Sequence, residues 1–460
     1  MRKTLLAVLA LALFVPGPAW AATPTTVDDY LRQARDATDL PGVSAVVTHG
    51  EEIVKATGSG HESTGAAVTA DTPMRVASLS KSMTAAAVLT LVDEGRVALD
   101  QPVVTYLPEF RTTDPRTPRI TVRHLLNQTS GLSDRTLDIP ATQEATDLEG
   151  YLAALRDGEL AAEPGTHWEY CNVNFDVAAR LVEVVDGRDF AEAIRQRVFE
   201  PLGMHASAIG ASASPGYNSV FGAWVSRSEL RDLREGGSGG VVTTAADMGR
   251  WLISQTGRGP RILSPESLAT LHQPWPGGDY AMGWGVEDLN GRKVLMHNGN
   301  LFTYSAIQAF DPATGDGYAV MTNSSALYED TYDILVGLDA ITRGKQPEPV
   351  GGGRQWTDLG LAVFTLVATG LGALGVIRSG RWARRERRAR WWRASGLLLP
   401  VLVLVTYPQW VSFLANGRTV TWAQLTYFTA PLTIALGVAA AAALATAVAR
   451  LIRWRAVRAL

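Results

Sequence analysis

The sequence predicts an α+β domain followed by three membrane-spanning helices. Strand-like segments lie near both ends of residues 23–345 with helical patterns between them, which favours one antiparallel sheet built from the two ends of the domain. Beyond this region, three long segments contain no charged residue. The chain has 460 residues, which is enough for one large domain and a second part.

The N-terminal segment has the pattern of a secretory signal peptide. Arg2 and Lys3 precede an apolar run over Leu5–Val15, and Ala19-Trp20-Ala21 supplies the small residues typical of a cleavage site. We therefore expect residues 1–22 to be a signal peptide. A first membrane anchor is the alternative, and the short apolar run makes it the poorer one. Both interpretations place the following domain outside the cytoplasm.

Periodicity predicts the main elements of the domain. Val43–His49 and Ile53–Thr57 are typical of a β-hairpin. Ser78–Glu94 predicts a helix, because apolar residues recur at helical spacing and Gly95 follows as a stop. Three more strands are predicted late in the domain: Lys293–His297, Tyr304–Phe310 and Tyr318–Thr322.

The three uncharged segments predict a membrane anchor over residues 357–460, after a Pro- and Gly-rich linker at residues 346–356. Buried core helices are the alternative, but these segments leave almost no polar face for water. None of them holds an ionisable residue, which argues against a transporter. The predicted spans are Leu359–Ile377, Ala394–Ala415 and Leu425–Ala449.

Charge is distributed unevenly along the chain. Residues 378–460 hold thirteen Arg and one Glu, whereas residues 1–377 hold 29 basic and 44 acidic residues. An acidic soluble part excludes nucleic acid as a partner, because phosphate binding needs clustered Lys and Arg. The Arg-rich loop between the first two spans and the Arg-rich C-terminus are predicted to be cytoplasmic. The domain before the first span is then outside, in agreement with the signal peptide.

Ser78 and Lys81 form the first candidate catalytic pair. They are three residues apart at the start of the predicted helix, so the hydroxyl and the amine lie on one face within a single turn. A serine hydroxyl needs a base to take its proton, and a lysine in a desolvated pocket can serve as one. The pair is frequent by chance and needs partners elsewhere in the chain.

Tyr170 and Asn172 are the second group, after a predicted turn at Pro164-Gly165. A phenol beside a lysine can shuttle a proton, and an amide can hold both the lysine and a substrate carbonyl. Cys171 between them is the only cysteine. It can be a nucleophile, but we expect it to point inward as a small apolar filler.

His297, Gly299 and Asn300 end the strand that begins at Lys293. A glycine here allows a substrate backbone to approach an edge strand. The N–H groups of Asn300 and Ser78 are predicted to form an oxyanion hole.

Ser-x-x-Lys, Tyr-x-Asn and His-x-Gly, in this order, resemble the serine β-lactamase-related family, which includes class C β-lactamases, penicillin-binding proteins, D-aminopeptidases and esterases. Four further segments resemble the family: Gly95–Phe110, Ile120–Leu132, Gly239–Asp247 and Tyr280–Gly285. The resemblance covers nearly all of the domain and none of the anchor. It implies an antiparallel sheet flanked by helices, plus an all-helical subdomain.

The resemblance also implies roles for the candidate residues. Ser78 would be acylated, Lys81 and Tyr170 would share the base and acid roles, and Asn172 would orient the substrate. His297 stands where many members have Lys in a Lys-Thr-Gly triplet. A neutral imidazole offers less fixed positive charge to a substrate carboxylate, so efficient β-lactam hydrolysis is doubtful and peptidase or esterase activity gains weight.

The sequence therefore predicts a serine hydrolase outside the cytoplasmic membrane of a bacterium. Its expected partners are membrane lipid, through the three helices, and substrates such as peptides containing D-amino acids, small peptides, esters or β-lactams. No metal or cofactor is expected. Two alternatives remain: a β-lactamase proper, and a sensor that binds penicillin or peptide without turnover.

Overall fold

The computed structural model describes residues 24–230, 236–385, 391–415 and 417–458. The predicted signal peptide, residues 1–22, lies outside the described residues. The strands are β1 (Gly42–His49), β2 (Glu52–Gly60), β3 (Met74–Arg75), β4 (Ala208–Ile209), β5 (Gly216–Val220), β6 (Ala223–Arg227), β7 (Val241–Thr243), β8 (Gly285–Leu289), β9 (Arg292–Asn300), β10 (Ser305–Phe310), β11 (Asp316–Thr322) and β12 (Ser324–Ser325).

The α-helices are α1 (Val27–Thr38), α2 (Ser80–Asp93), α3 (Val122–Leu126), α4 (Ile139–Gln143), α5 (Leu148–Ala153), α6 (Val173–Asp186), α7 (Phe190–Ile194), α8 (Ala245–Gln255), α9 (Pro265–His272), α10 (Thr331–Thr342), α11 (Gly353–Arg385), α12 (Leu399–Val405), α13 (Tyr407–Leu414), α14 (Trp422–Leu425) and α15 (Ala430–Arg458). Short 3-10 turns span Ala77–Leu79, Val103–Thr105, Thr117–Arg119 and Trp391–Leu398, and a π-helical turn spans Arg195–Phe199.

Six strands form one antiparallel sheet in the order β2-β1-β11-β10-β9-β8. β1 pairs with β11 along Val43–His49, so the two ends of the domain meet in the middle of the sheet. Successive side chains of β1 point to opposite faces, and Val46 and Val47 therefore belong to two separate cores. The predicted α+β class and the sheet built from both ends of the domain are confirmed. Two three-stranded sheets are smaller: β12-β5-β6 and β3-β7-β4.

Helices cover both faces of the large sheet. One core joins α1 and α10 to the sheet through side chains such as Tyr30, Leu335 and Val320. The other core joins α8 and the helical part of the domain to the opposite face, through side chains such as Trp251 and Phe310. Burying each of these large side chains stabilises the fold by about 1.5–3 kcal/mol.

α2 lies in the centre of the larger core. Every residue from Ser80 to Leu91 is buried, and the helix packs against α6 and α9. This helix was predicted to begin at Ser78. It begins at Ser80, because the preceding residues form a tighter 3-10 turn over Ala77–Leu79. Ser78 is thus held on a turn rather than in the helix itself.

Two helices in the described ranges, α11 and α15, are long and apolar enough to cross a membrane. A third candidate is a bent pair, Ser395–Val405 and Tyr407–Leu414, whose axes differ by 56°. The predicted second span, Ala394–Ala415, is thus broken near Pro408, because proline removes an N–H and clashes with the preceding turn. The predicted third span began at Leu425. The long helix begins instead at Ala430 and reaches Arg458.

The start of α11 docks onto the domain through buried polar residues. The predicted linker, residues 346–356, ends earlier than expected, because α11 already begins at Gly353. Arg354 is 1% exposed and donates to Ser219 Oγ at 3.2 Å and to the Thr38 carbonyl at 2.9 Å. Asp358 accepts a bond from the Gly222 N–H at 2.9 Å. These contacts fix the helix against the domain surface.

Candidate active site

A strained turn presents Ser78. Ala77 has a φ of 49°, in the left-handed region that costs a residue with a Cβ about 1–2 kcal/mol. Two bonds of the Ser80 hydroxyl hold this turn: it donates to the Ala77 carbonyl at 2.6 Å and accepts from the Val241 N–H at 3.1 Å. Backbone strain that the surroundings hold in place is typical of functional sites.

Ser78 Oγ lies within hydrogen-bond distance of two candidate residues. Lys81 Nζ is 3.0 Å away, and the Tyr170 hydroxyl is 2.8 Å away. Lys81 belongs to α2, whereas Tyr170 lies in the loop before α6. The structure therefore brings together the hydroxyl, the amine and the phenol that the sequence singled out.

Lys81 is 0% exposed and its amine is surrounded by acceptors. Besides Ser78, Nζ donates to Asn172 Oδ1 at 2.9 Å and to the Ser238 carbonyl at 2.8 Å. Ser238 is itself held by its N–H, which donates to Asp176 Oδ1 at 2.9 Å. Ser238 was not identified from the sequence, because a backbone carbonyl has no residue-type signal.

Cys171 points away from this cluster. Its side chain is 0% exposed, and its thiol donates to Asp134 Oδ1 at 3.3 Å. Burial raises the pKa of the Cys171 thiol well above its usual value, and the Asp134 carboxylate raises it further. A nucleophile needs the thiolate, so this geometry argues against the cysteine nucleophile.

His297 packs against Tyr170, with their ring centroids 6.1 Å apart. Its Nδ1 lies 2.6 Å from the Asn298 carbonyl, which can only accept, so the proton belongs on Nδ1. Nε2 can then accept from the Tyr280 hydroxyl at 3.1 Å. Burial, together with the Lys81 charge, lowers the pKa of His297 to about 4, so the imidazole is neutral at neutral pH. Tyr280 lies in a segment that supported the resemblance but was not selected as a site residue.

Gly299 brings β9 against the turn that carries Ser78. A Cβ at this position would lie 2.3 Å from the Val76 carbonyl oxygen and 2.9 Å from Leu79 Cδ1. Only glycine permits this approach. The sequence had suggested a different reason for a glycine here, namely the approach of a substrate backbone. β8 pairs with β9 only as far as Met296, so residues 297–300 form a free edge among the described strands. Asn300 lies at the end of this edge.

A cavity of ≈ 780 Å³ opens at Ser78. From the domain it is lined by residues that include Asn172, Ser238 and Asn300. Arg418 and Thr419, from the segment before α14, line the same cavity. Sequence patterns did not indicate that residues of the C-terminal part reach this site. In the described ranges, no group of three or more His, Cys, Asp or Glu side chains is placed to hold a metal ion.

Known proteins resemble this domain in sequence and fold. A family model described as Beta-lactamase matches residues 27–339. Penicillin-binding protein 4 from Amycolatopsis lactamdurans is 29% identical over 330 residues, which are 65% of this chain and 85% of that protein. The octameric penicillin-binding protein homologue from Pyrococcus abyssi has a TM-score of 0.61 at 24% identity, over 70% of this chain and 78% of that one.

A D-stereospecific amidohydrolase from Streptomyces sp. has a TM-score of 0.54 at 26% identity, over 65% of this chain and 93% of that chain. The family match extends over more than half of the chain, and the same region contains the sheet, the helical part and the Ser78 cluster. The chain therefore belongs to the beta-lactamase family of serine hydrolases.

Proposed function

We propose that this protein is a membrane-anchored, extracytoplasmic hydrolase that acts through an acyl-enzyme on Ser78. One observation carries the proposal: Ser78 Oγ lies 3.0 Å from Lys81 Nζ and 2.8 Å from the Tyr170 hydroxyl, beside a cavity large enough for a peptide end. Nucleophilic catalysis by serine needs a base within this distance.

The contacts of Lys81 orient its amine towards Ser78 Oγ. Asn172 Oδ1 and the Ser238 carbonyl can only accept hydrogen bonds, so they hold two N–H groups of Lys81. In the neutral amine, the lone pair would then point towards Ser78 Oγ. Ser78 attacks the substrate carbonyl, and its proton passes to Lys81 or through Tyr170.

In the remaining steps this proton is transferred to the leaving group, and water regenerates the serine. The tetrahedral intermediate collapses, the bond to the leaving amine or alcohol breaks, and the stored proton moves to that leaving group. Water then attacks the ester on Ser78, and one of its protons passes through Lys81 or Tyr170 to Ser78 Oγ. The bond between Ser78 Oγ and the acyl carbon breaks, which releases the acid and restores the serine. The N–H groups of Ser78 and Asn300 are proposed to bind the oxyanion.

We propose D-amino-acid-containing peptides, small peptides or esters as substrates. The name of one similar protein, a D-stereospecific amidohydrolase, supports the D-amino-acid part of this class, whereas the name of Penicillin-binding protein 4 fits the β-lactam alternative. At strand β9 itself, the neutral imidazole of His297 supplies no fixed charge for a substrate carboxylate.

Two helices with mean hydropathies of 2.1 and 2.2 support the anchor, with the bent pair as a third span. The domain would face the outside, with the Arg-rich loop and the C-terminus in the cytoplasm. Residues 23–345 are proposed as the hydrolase domain.

The test uses the full chain in detergent or nanodiscs with a fluorescent fluorophosphonate and a fluorescent penicillin. We expect covalent labelling that Ser78→Ala abolishes and Lys81→Met slows strongly. Labelling that survives Ser78→Ala contradicts the proposal. Turnover separates the alternatives, because a sensor is acylated once and stays blocked, whereas a hydrolase releases product repeatedly. Rapid hydrolysis of a chromogenic cephalosporin would instead favour a β-lactamase proper.

A further inference from the structure

The segment between the last two apolar helices packs on the candidate active site. We call residues 417–428 the connecting segment. Thr419 donates through its N–H to Asp134 Oδ2 at 3.3 Å and through its hydroxyl to the Asp134 carbonyl at 3.0 Å. At the other end, the Arg227 guanidinium carbon lies 3.4 Å from the centroid of the Tyr427 ring, and Arg227 donates to the Thr426 carbonyl at 2.6 Å. The segment is thus held at both ends.

Arg418 is the residue of this segment that reaches the catalytic cluster. Its guanidinium carbon lies 5.4 Å from the centroid of the Tyr170 ring, and the Tyr170 hydroxyl bonds Ser78. Nε of Arg418 lies 3.6 Å from Asp134 Oδ2, which holds one side of the guanidinium. In the part of the chain that the structure describes, its two terminal nitrogens make no hydrogen bond, and the side chain is 36% exposed at the cavity.

The acidic residues of the cavity are engaged within the chain. Asp176 accepts from the Ser238 N–H, and Asp333 accepts from the Tyr328 hydroxyl at 2.9 Å. Glu229 accepts from the N–H groups of residues 302 and 303. Burial raises the pKa of Glu329 to about 8, so this carboxyl is largely protonated at neutral pH. Of these five acids, Asp134 is the one that contacts Arg418, and it lies on the Nε side. The two terminal nitrogens of Arg418 therefore stay available to an anion.

We propose that Arg418 binds the terminal carboxylate of the substrate, so that the membrane anchor supplies a specificity-determining residue of the active site. The proposal rests on the proposed function, in which Ser78 attacks a peptide near its C-terminus. A guanidinium presents two parallel N–H groups to a carboxylate, and those of Arg418 border the cavity at Ser78. Because His297 is neutral, the positive charge that binds a substrate carboxylate must come from another residue.

The test compares two substrates that differ in one group: an N-acylated D-alanyl-D-alanine peptide with a free carboxylate, and the same peptide with a C-terminal amide. In the full chain, Arg418→Gln should raise KM for the carboxylate peptide by about tenfold to a hundredfold, which is the loss of one charge-assisted pair, with little change in kcat. The KM of this variant for the amide peptide should change by less than about twofold. Arg418→Lys should lie between, because it keeps the charge without the planar fork.

Arg135→Gln is the matched control. It also removes one positive charge beside Tyr170, but from a 55% exposed side chain that pairs with Glu169. We expect it to affect both peptides equally and weakly, as an exposed ion pair does. An equal loss on both peptides in Arg418→Gln, or no loss on either, overturns the proposal.

Binding separates this inference from the proposed function. Fluorescent versions of the two peptides are titrated against Ser78→Ala, with and without Arg418→Gln. A preference for the carboxylate that disappears with Arg418 supports the inference even if Ser78 proves not to be acylated. Equal affinity for both peptides in Ser78→Ala contradicts the inference, whatever the activity of the native chain.

Discussion

Gly299→Ala should damage the site without removing any catalytic group. The added Cβ would lie 2.3 Å from the Val76 carbonyl oxygen and 3.1 Å from Ala77 Cβ. An ordinary contact between carbon and oxygen is about 3.3 Å or more, so β9 and the turn must separate by about 1 Å. Ser78 lies on that turn, one residue after Ala77.

The expected cost has two parts. Overpacking of this kind lowers the free energy of unfolding by about 1–3 kcal/mol, and each kcal/mol lowers Tm by about 2–4 °C in a domain of this size. A displacement of about 1 Å between reacting groups can slow catalysis by about 10²-fold. We therefore expect labelling of Ser78 by a fluorophosphonate to slow far more than the loss of stability explains.

The assay measures the labelling rate constant and Tm of the full chain in detergent. Gly285→Ala is the control, because it lies on the neighbouring strand β8 and its Cβ would meet no atom closer than 3.5 Å. If Gly299→Ala labels at the native rate while melting at the native temperature, the close approach of β9 to the turn is not required, and the reasoning is refuted.

Three further predictions follow from other contacts. Folding lowers the pKa of His297 from 6.5 to about 4, so above pH 6.5 the neutral imidazole contributes up to about 3 kcal/mol to the free energy of unfolding. This contribution is lost as pH falls from 6.5 through 4. His297→Asn should flatten the acid side of the stability curve measured by chemical unfolding. Cys171→Ser should keep the bond to Asp134, and Ser78 should be labelled at the native rate. Iodoacetamide should not inhibit the native chain, because Cys171 is buried, and inhibition would contradict that burial. In Gly372→Leu, the new Cβ would lie 2.6 Å from Ala442 Cβ and should push α11 away from α15. The KM preference for the carboxylate peptide should then fall, while labelling of Ser78 by a small fluorophosphonate stays unchanged. An unchanged preference would show that the contact between α11 and α15 does not position Arg418.

Local patterns predicted those parts of the site that depend on short sequence separation. Ser78 and Lys81 are three residues apart, and one turn of chain places them together whatever the rest of the fold does. The strands were predicted in the same way, from alternation that reports which face is buried. Tyr170, which is 92 residues from Ser78, came from the resemblance and not from any periodicity.

The features that were missed act through groups without a sequence signature. Ser238 contributes a carbonyl oxygen, which every residue possesses. Thr419 bonds Asp134 across 285 positions, and nothing in either local sequence indicates that contact. In the sequence, Arg418 was only counted among the thirteen arginines of residues 378–460. The bend before Pro408 was not predicted, because the uncharged run around this proline is long enough for one straight span.

Asp134 links the connecting segment to the loop that carries Tyr170. One oxygen accepts the thiol of Cys171, the residue next to Tyr170, and the other accepts the N–H of Thr419 and lies near Arg418. A buried carboxylate with partners on two segments fixes their relative position, because moving either segment leaves a charge without its bonds. Asp134 is therefore a contact shared by the loop that carries the phenol and the segment that carries the guanidinium. With the proposed role of Arg418, this shared contact connects the helices after the domain to the choice of substrate.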